Sequence, residues 1–416
     1  MKIAMDVLCR VFSKALDVIE EEQIGASEHH GMRVSALCAA IGKRLGYDDD
    51  AVSALATCAL FHDNALTEFN ISEREDMMQK QNMVLHCRKG QENVAWLPFK
   101  KDISGFILYH HEFGNGKGPF RKKTDEYPFE AAILAAVDSI DVAYHLQNVN
   151  PKDLAALRDK INENADEFST RKAVDLLLDI LDADMLDSLR DENIVRTLDN
   201  CMPDWEIDVT EPSIAGISGF ISRVIDFKSR YTQKHTSQIA NRAWIMGEYY
   251  GYNHEENSAL YLAASLHDIG KITTPLAILE KPGKLEKDEF DIMKNHVRIT
   301  HDWLSTVPDF EQIKNWAANH HEKLNGTGYS FGKNAYEMDF NSRLMACIDI
   351  YQAVSELRPY HEERSHTDTM PILYDMADKG FIDKKIVKNI DEVMEKYSMK
   401  EVPCPYGHND KNQKQV

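Results

Sequence analysis

Apolar residues recur every three to four positions along most of this chain. The pattern is clearest over 33–45 (RVSALCAAIGKRL), 51–61 (AVSALATCALF), 131–146 (AAILAAVDSIDVAYHL), 258–270 (SALYLAASLHDIG) and 343–357 (RLMACIDIYQAVSEL). Such spacing puts one apolar stripe on an α-helix. Val/Ile/Thr alternation is sparse, and the Asn-Gly pairs are not flanked by alternating apolar residues, so hairpins are not expected. The expected fold class is all-α. The opening stretch, MKIAMDVLCRVFSKALDVIEEE, has the length of a leader. However, Asp6, Arg10, Lys14 and Asp17 interrupt its apolar run at helical spacing, which predicts an amphipathic helix instead. The Leu-rich, acidic stretch from about 147 to 214 predicts further helices that complete the first half and carry no site. The tail after Pro403 is polar and predicted to fray.

A chain of 416 residues exceeds one ordinary core, so two domains of ~200 residues are expected. An internal repeat supports that division. The C-terminal half carries, in order, His235, His267-Asp268, His296, His320-His321 and Asp349; the N-terminal half carries His30, His62-Asp63, His86, His110-His111 and Asp138. The first gap is 32 positions in both copies and the gap from the middle His to the His-His pair is 24 in both. Flanking text agrees, HHEFGNGKGPF (110–120) paralleling HHEKLNGTGYS (320–330). Duplication of one helical domain accounts for these matches.

Composition narrows the chemistry. The formal net charge of −20 argues against a nucleic-acid polymer as partner, which would need a basic stripe. An anionic substrate would then need locally concentrated positive charge, which bound cations supply. No stretch approaches the ~20 apolar residues of a membrane span, so no membrane partner is expected. The 7 Cys are scattered without a Cys-x-x-Cys pair, which fits a reducing, cytoplasmic setting.

Of the 17 His, ten fall in the two repeated series. Imidazole and carboxylate together suit Fe, Mn, Zn, Co or Ni, and these ligand types do not choose among them. Five His and two Asp, one Asp able to bridge, can satisfy two adjacent metals and leave positions open for water and substrate. A structural zinc site would close four ligands and usually include Cys, so a catalytic set is expected.

In the second half the residues also carry a resemblance. HDIGK (267–271), PLAILEKPGKL (275–285), MKNH (293–296), HHEKLNGTGY (320–329) and DIYQAVSELRPY (349–360) together resemble the HD-GYP subfamily of HD-domain phosphohydrolases, over about 215 to 400. The resemblance implies two tandem HD-type helical domains: an N-terminal one over 1–210, partly degenerate, with a connector from about 147; a catalytic one over 211–400; and a polar tail over 401–416. It implies a bacterial cyclic-dinucleotide phosphodiesterase that cleaves c-di-GMP or 3′,3′-cGAMP to a linear dinucleotide, with GMP as an optional further product. His235, His267, Asp268, His296, His320, His321 and Asp349 would ligate two divalent metals, with Asp268 bridging and Fe favoured over Mn. Lys271 would contact the scissile phosphate, a fixed ammonium beside the metals, and Arg358 would bind phosphate as a planar fork. A homodimer is the oligomeric option.

Three departures stand out. The eponymous Gly-Tyr-Pro reads Gly328-Tyr329-Ser330, so its stiffening Pro is missing. Tyr231 stands where three-metal members carry a Glu, which predicts two metals. His361 follows the RPY segment where a basic residue is usual. In the first copy the ligand set His30, His62, Asp63, His86, His110, His111 and Asp138 is complete, but His62-Asp63-Asn64-Ala65-Leu66 puts Leu66 at the position of Lys271, and no RPY segment follows Asp138. That domain is expected to bind metal with little activity, as scaffold, sensor or dimerisation unit; a vestigial, metal-free site is the alternative. For the chain as a whole the rival readings are a catalytically weak c-di-GMP sensor and another HD chemistry, such as nucleotide monophosphate hydrolysis or di-iron oxygenation.

Overall fold

The computed structural model describes every residue except 26, 69–79, 227–234, 357–362 and 398–416. Tyr231, Arg358, His361 and the 401–416 tail therefore lie outside the described residues. Two compact units emerge: Ala4–Ile207, and Asp208–Val416 together with Met1–Ile3. Among the described residues the strands are two three-residue segments, Lys2–Ala4 and Glu206–Asp208; the rest is helices and loops. No described helix is long and apolar enough to cross a membrane.

In the N-terminal unit the helices of eight residues or more are α1 (Met5–Ile24), α2 (His30–Arg44), α3 (Asp49–Leu60), α4 (Lys80–Val94), α5 (Phe129–Tyr144), α6 (Leu154–Glu163), α7 (Arg171–Ile180) and α8 (Ile194–Cys201). In the C-terminal unit they are α9 (Glu211–Asp226), α10 (His235–Tyr249), α11 (His254–Leu266), α12 (Lys287–Leu304), α13 (Glu311–Ala318), α14 (Phe340–Ser355), α15 (His366–Asp378) and α16 (Lys384–Met394). In each unit the helix carrying the first His packs against the next, α2 on α3 and α10 on α11. The preceding helix, α1 or α9, leans on both. The repeat seen in sequence is thus a repeat of architecture.

Local chemistry explains how the ligands are delivered. Helix α2 ends before Gly46 and α10 before Gly251, both at positive φ (76° and 75°), where a residue without Cβ is favoured. Asp48 then caps α3 by accepting from the Ala51 amide, and Asn253 caps α11 in a reciprocal box with Glu256. The second helix of each pair therefore starts at a fixed point and ends within one residue of the His-Asp dipeptide. Periodicity predicted helix through residue 270, but α11 stops at Leu266 and the chain tightens into a 3₁₀ segment, Ile269–Thr273. Crowding requires this: a Cβ on Gly270 would come within 2.2 Å of the His296 carbonyl. Gly270 thus lets the His-Asp turn press directly on the helix that carries His296.

Candidate metal centres

The C-terminal unit brings its seven predicted ligands together. His235 opens α10, His267 and Asp268 follow α11, His296 lies on α12, His320 and His321 follow α13, and Asp349 lies on α14. All are buried except His321, whose side chain is 23% exposed. Asp268 sits at the middle. Its Oδ2 is 3.5 Å from His235 Nε2 and 3.2 Å from His267 Nε2, while Oδ1 is 3.4 Å from His296 Nε2 and 3.6 Å from His320 Nε2. One carboxylate therefore offers an oxygen to each of two imidazole pairs, as a carboxylate bridging two cations would. Asp349 completes the ring, with Oδ1 3.9 Å from His235 and His267 and Oδ2 3.6 Å from His321 Nδ1.

The backbone sets which ring nitrogens face inward. Nδ1–H of His267, His296 and His320 can donate to the carbonyls of Ala264, Met293 and Ala317, at 2.7, 2.6 and 2.6 Å. That tautomer leaves each Nε2 as a lone pair aimed at the centre. His267 Nε2 and Asp268 Oδ1 are buried with no hydrogen-bond partner, a costly state unless a cation is ligated there. Burial pushes the imidazoles of His296 to about 3 and His320 to about 4, so both are neutral, as a metal requires. Burial opposes the charge on Asp268, but His267 and Lys271 outweigh it and hold the carboxyl well below its usual range. The donor set fits divalent metal.

His235 is oriented differently. Its Nδ1–H donates to Glu356 Oε1 at 2.9 Å, and Gln352 Nε2 donates to the other oxygen at 2.6 Å. In the first copy the same task falls to Asp141, three residues past Asp138, which accepts from His30 Nδ1 at 2.7 Å and from buried Arg33 at 3.1 Å. Three residues past Asp349 stands Gln352, so the carboxylate has moved four positions on, to the residue just past the end of α14. Replacing Glu356 with alanine is expected to weaken metal binding ~10–100-fold, with Gln352→Asp restoring most of it. Mn(II) titration of the two variants checks this; unchanged affinity in Glu356→Ala would remove its positioning role.

Lys271 Nζ lies 2.5 Å from Asp268 Oδ2 with its side chain 18% exposed, at the mouth of the cluster. The loop after His321 is shaped by Glu322, whose carboxylate accepts from the amides of Phe331, Gly332 and Lys333. Glu112 does the same for Phe120 and Lys122 in the first copy. Ser330, in the place of the missing Pro, donates to the Lys294 carbonyl at 3.0 Å, and Tyr329 covers the His321 ring at 4.7 Å. The loop is thus held by a buried carboxylate. Lys281 of the KPG segment pairs with Glu289 at 2.5 Å.

The N-terminal ligands also converge. Asp63 Oδ2 is 3.5 Å from His62 Nε2, and Oδ1 is 3.1 Å from His86 and 4.0 Å from His110. Asp138 Oδ1 lies 3.2 Å from His30 and 3.5 Å from His62, and His111 joins the group formed by Asp63, His86 and His110. Electrostatics divide this cluster: burial and neighbouring imidazoles lower His110 and His111, as they do His320 and His321. Burial works against a proton on His30 and His62, yet hydrogen bonds to Asp138 with the charges of Asp63 and Asp141 keep both protonated, His62 to about 9. A metal entering here must displace those protons. The mouth differs too: Leu66 is a buried apolar residue where the second copy presents Lys271.

Two matches to the HD-domain family cover residues 28–143 and 220–386. Along the sequence the chain is similar to 3′3′-cGAMP-specific phosphodiesterase 1 of Vibrio cholerae, 26% identical over 90% of this chain and 88% of that protein. It is also similar to the cyclic di-GMP phosphodiesterase response regulator RpfG of Xanthomonas campestris, 33% identical over 37% of this chain and 41% of that one. In three dimensions it is similar to a cyclic GMP-AMP-specific phosphodiesterase of V. cholerae, V-cGAP3, with a TM-score of 0.65 at 20% identity, covering 95% of this chain and 98% of that one. This last likeness concerns the fold.

Proposed function

The chain is a tandem HD-domain protein homologous to cyclic-dinucleotide phosphodiesterases, and from that premise we propose that its C-terminal domain hydrolyses a cyclic dinucleotide, 3′,3′-cGAMP before c-di-GMP, to the linear dinucleotide. The observation that carries the reading is Asp268, one carboxylate serving two imidazole pairs with an ammonium beside it. The preference for cGAMP is supported by a relative that matches 90% of this chain and is named for that substrate.

Two divalent ions held there, iron or manganese, would supply Lewis-acid polarisation of the phosphodiester and activation of water. The chain's own residues do the rest. His235, His267, His296, His320, His321, Asp268 and Asp349 fix the geometry, Glu356 keeps His235 turned inward, and Lys271 opposes the charge that grows on the phosphoryl oxygens. Arg358 is assigned a second phosphate contact on sequence grounds alone. The N-terminal cluster is assigned metal binding without turnover, because Leu66 offers no charge to a phosphate.

Incubation with Fe(II) or Mn(II) under anaerobic conditions, followed by chromatography of the products from 3′,3′-cGAMP and c-di-GMP, tests this. Conversion of cGAMP to a linear dinucleotide, faster than c-di-GMP, is expected. Failure to cleave either would end the proposal.

A further inference from the structure

Helix α10 packs on α14, and Arg242 reaches across from one to the other, seven positions past His235. Its guanidinium donates to Gln352 Oε1 and lies over the Tyr351 ring, 5.5 Å from the centroid. It also reaches back along α10 to the carbonyl and side-chain oxygens of Gln238, both at 3.4 Å. Its Nε is buried and has no hydrogen-bond partner among the described residues. From Gln352 the contacts run on to a ligand. Gln352 Nε2 donates to Glu356 Oε2 at 2.6 Å, and Glu356 Oε1 accepts from His235 Nδ1 at 2.9 Å. Arg242, Gln352, Glu356 and His235 thus form one line of hydrogen bonds that ends at the centre.

Chemistry sets the direction of that line. A guanidinium has donors and no acceptor, so the end of the Gln352 amide that faces it must be the oxygen. The NH2 end then points at Glu356, and a carboxylate only accepts. Turned over, the amide would set its NH2 against a guanidinium and its oxygen against a carboxylate. The first copy supports its histidine more directly. There Arg33, three positions past His30, bonds to Asp141, three past Asp138, and Asp141 holds His30. In the second copy both members stand four positions later: Arg242 is seven past His235, and Glu356 is seven past Asp349. Gln238 and Gln352 occupy the places of Arg33 and Asp141, and buried Leu37 occupies the place of Arg242. Cation and carboxylate have shifted together, and packing alone does not require that.

We propose that Arg242 is a positioning residue of the C-terminal centre: by fixing the Gln352 amide it holds Glu356 on His235 and keeps His235 Nε2 turned inward. This rests on the reading that the C-terminal cluster holds two metals. His235 and His267 face Asp268 Oδ2, while His296 and His320 face Oδ1. Loss of Arg242 should therefore weaken the metal position that His235 serves and spare the other. A loss of packing between α10 and α14 would not single out one position.

The test uses the full chain carrying His62→Ala and Asp63→Ala, so that only the C-terminal cluster can load. Mn(II) bound per chain is measured by elemental analysis and the two affinities by titration. The variants are Arg242→Met, Arg242→Lys, Glu356→Ala, and Arg242→Met combined with Glu356→Ala. Methionine is unbranched and has no donor; Arg242→Leu, the first copy's residue at this place, is the second choice should Arg242→Met not fold. Arg242→Met is expected to weaken one Mn(II) site roughly tenfold and leave the other as it was. Arg242→Lys, which keeps a donor, should recover part of the loss. Added to Glu356→Ala, Arg242→Met should change little more, because both act through one contact. Background affinity in Arg242→Met or in Glu356→Ala, equal weakening of both sites, or full additivity of the two changes overturns the inference while metal binding stands. Loss of the fold in both Arg242→Met and Arg242→Leu overturns it as well, making Arg242 a structural residue. If the background binds fewer than two Mn(II), the reading beneath the inference fails with it.

Discussion

Asp268→Ala is expected to lower cyclic-dinucleotide turnover by roughly 10⁴-fold or more and to strip the C-terminal unit of its metals. A catalytic ion contributes several kcal/mol to the transition state, and each 1.36 kcal/mol is tenfold in rate. Among the described residues Asp268 is the one side chain facing four of the five imidazoles, so its removal would untie both imidazole pairs at once. On the inward side, the carboxylate left facing His235 and His267 would be Asp349, at 3.9 Å. Elemental analysis and product chromatography check the two halves separately. Taking a charge out of a metal-free cluster does not demand unfolding, so an unchanged far-ultraviolet spectrum is expected alongside. A variant that keeps its metals and its rate would remove Asp268 from the centre of the mechanism.

Much of this site was legible in the sequence because ligation constrains spacing. Gaps of 32 and 24 positions recur because the helical hairpin between successive ligands is the same length in both copies, and caps such as Asp48 and Asn253 fix where each second helix begins. What spacing could not disclose is how the ligands are supported. The partner of His30 is three residues past Asp138, but the matching position holds Gln352, and the carboxylate that replaces it, Glu356, comes from the next turn. Such a shift preserves the contact and erases the pattern. Similarly, SALYLAASLHDIG reads as unbroken helix, and the close approach of Gly270 to the His296 backbone ends it earlier. Glu20 belongs to the same class: on an amphipathic helix an acidic residue reads as solvated, yet it is buried, 1% exposed. The Glu112 and Glu322 anchors had a signal, the shared His-His-Glu, which the metal ligands overshadowed.

Lys271→Ala separates charge from ligation. Its ammonium lies 2.5 Å from Asp268 Oδ2, yet it ligates nothing and stands partly exposed at the mouth of the cluster, where an entering phosphate would meet it. Removing it should therefore leave metal content at the wild-type value and lower kcat by about 10²–10³-fold, the range for loss of one fixed donor to developing charge. KM should rise less, because the interaction strengthens as charge accumulates on the phosphoryl oxygens. Lys271→Arg keeps the charge but spreads it over a planar fork, so partial recovery of kcat is expected. Elemental analysis with steady-state kinetics on 3′,3′-cGAMP reads all of these quantities. Wild-type turnover in Lys271→Ala would refute the assigned role, and loss of metal would make Lys271 a support for Asp268 instead. The same logic bears on the first domain: Leu66 stands at the position of Lys271, while the ligand geometry around Asp63 is in place.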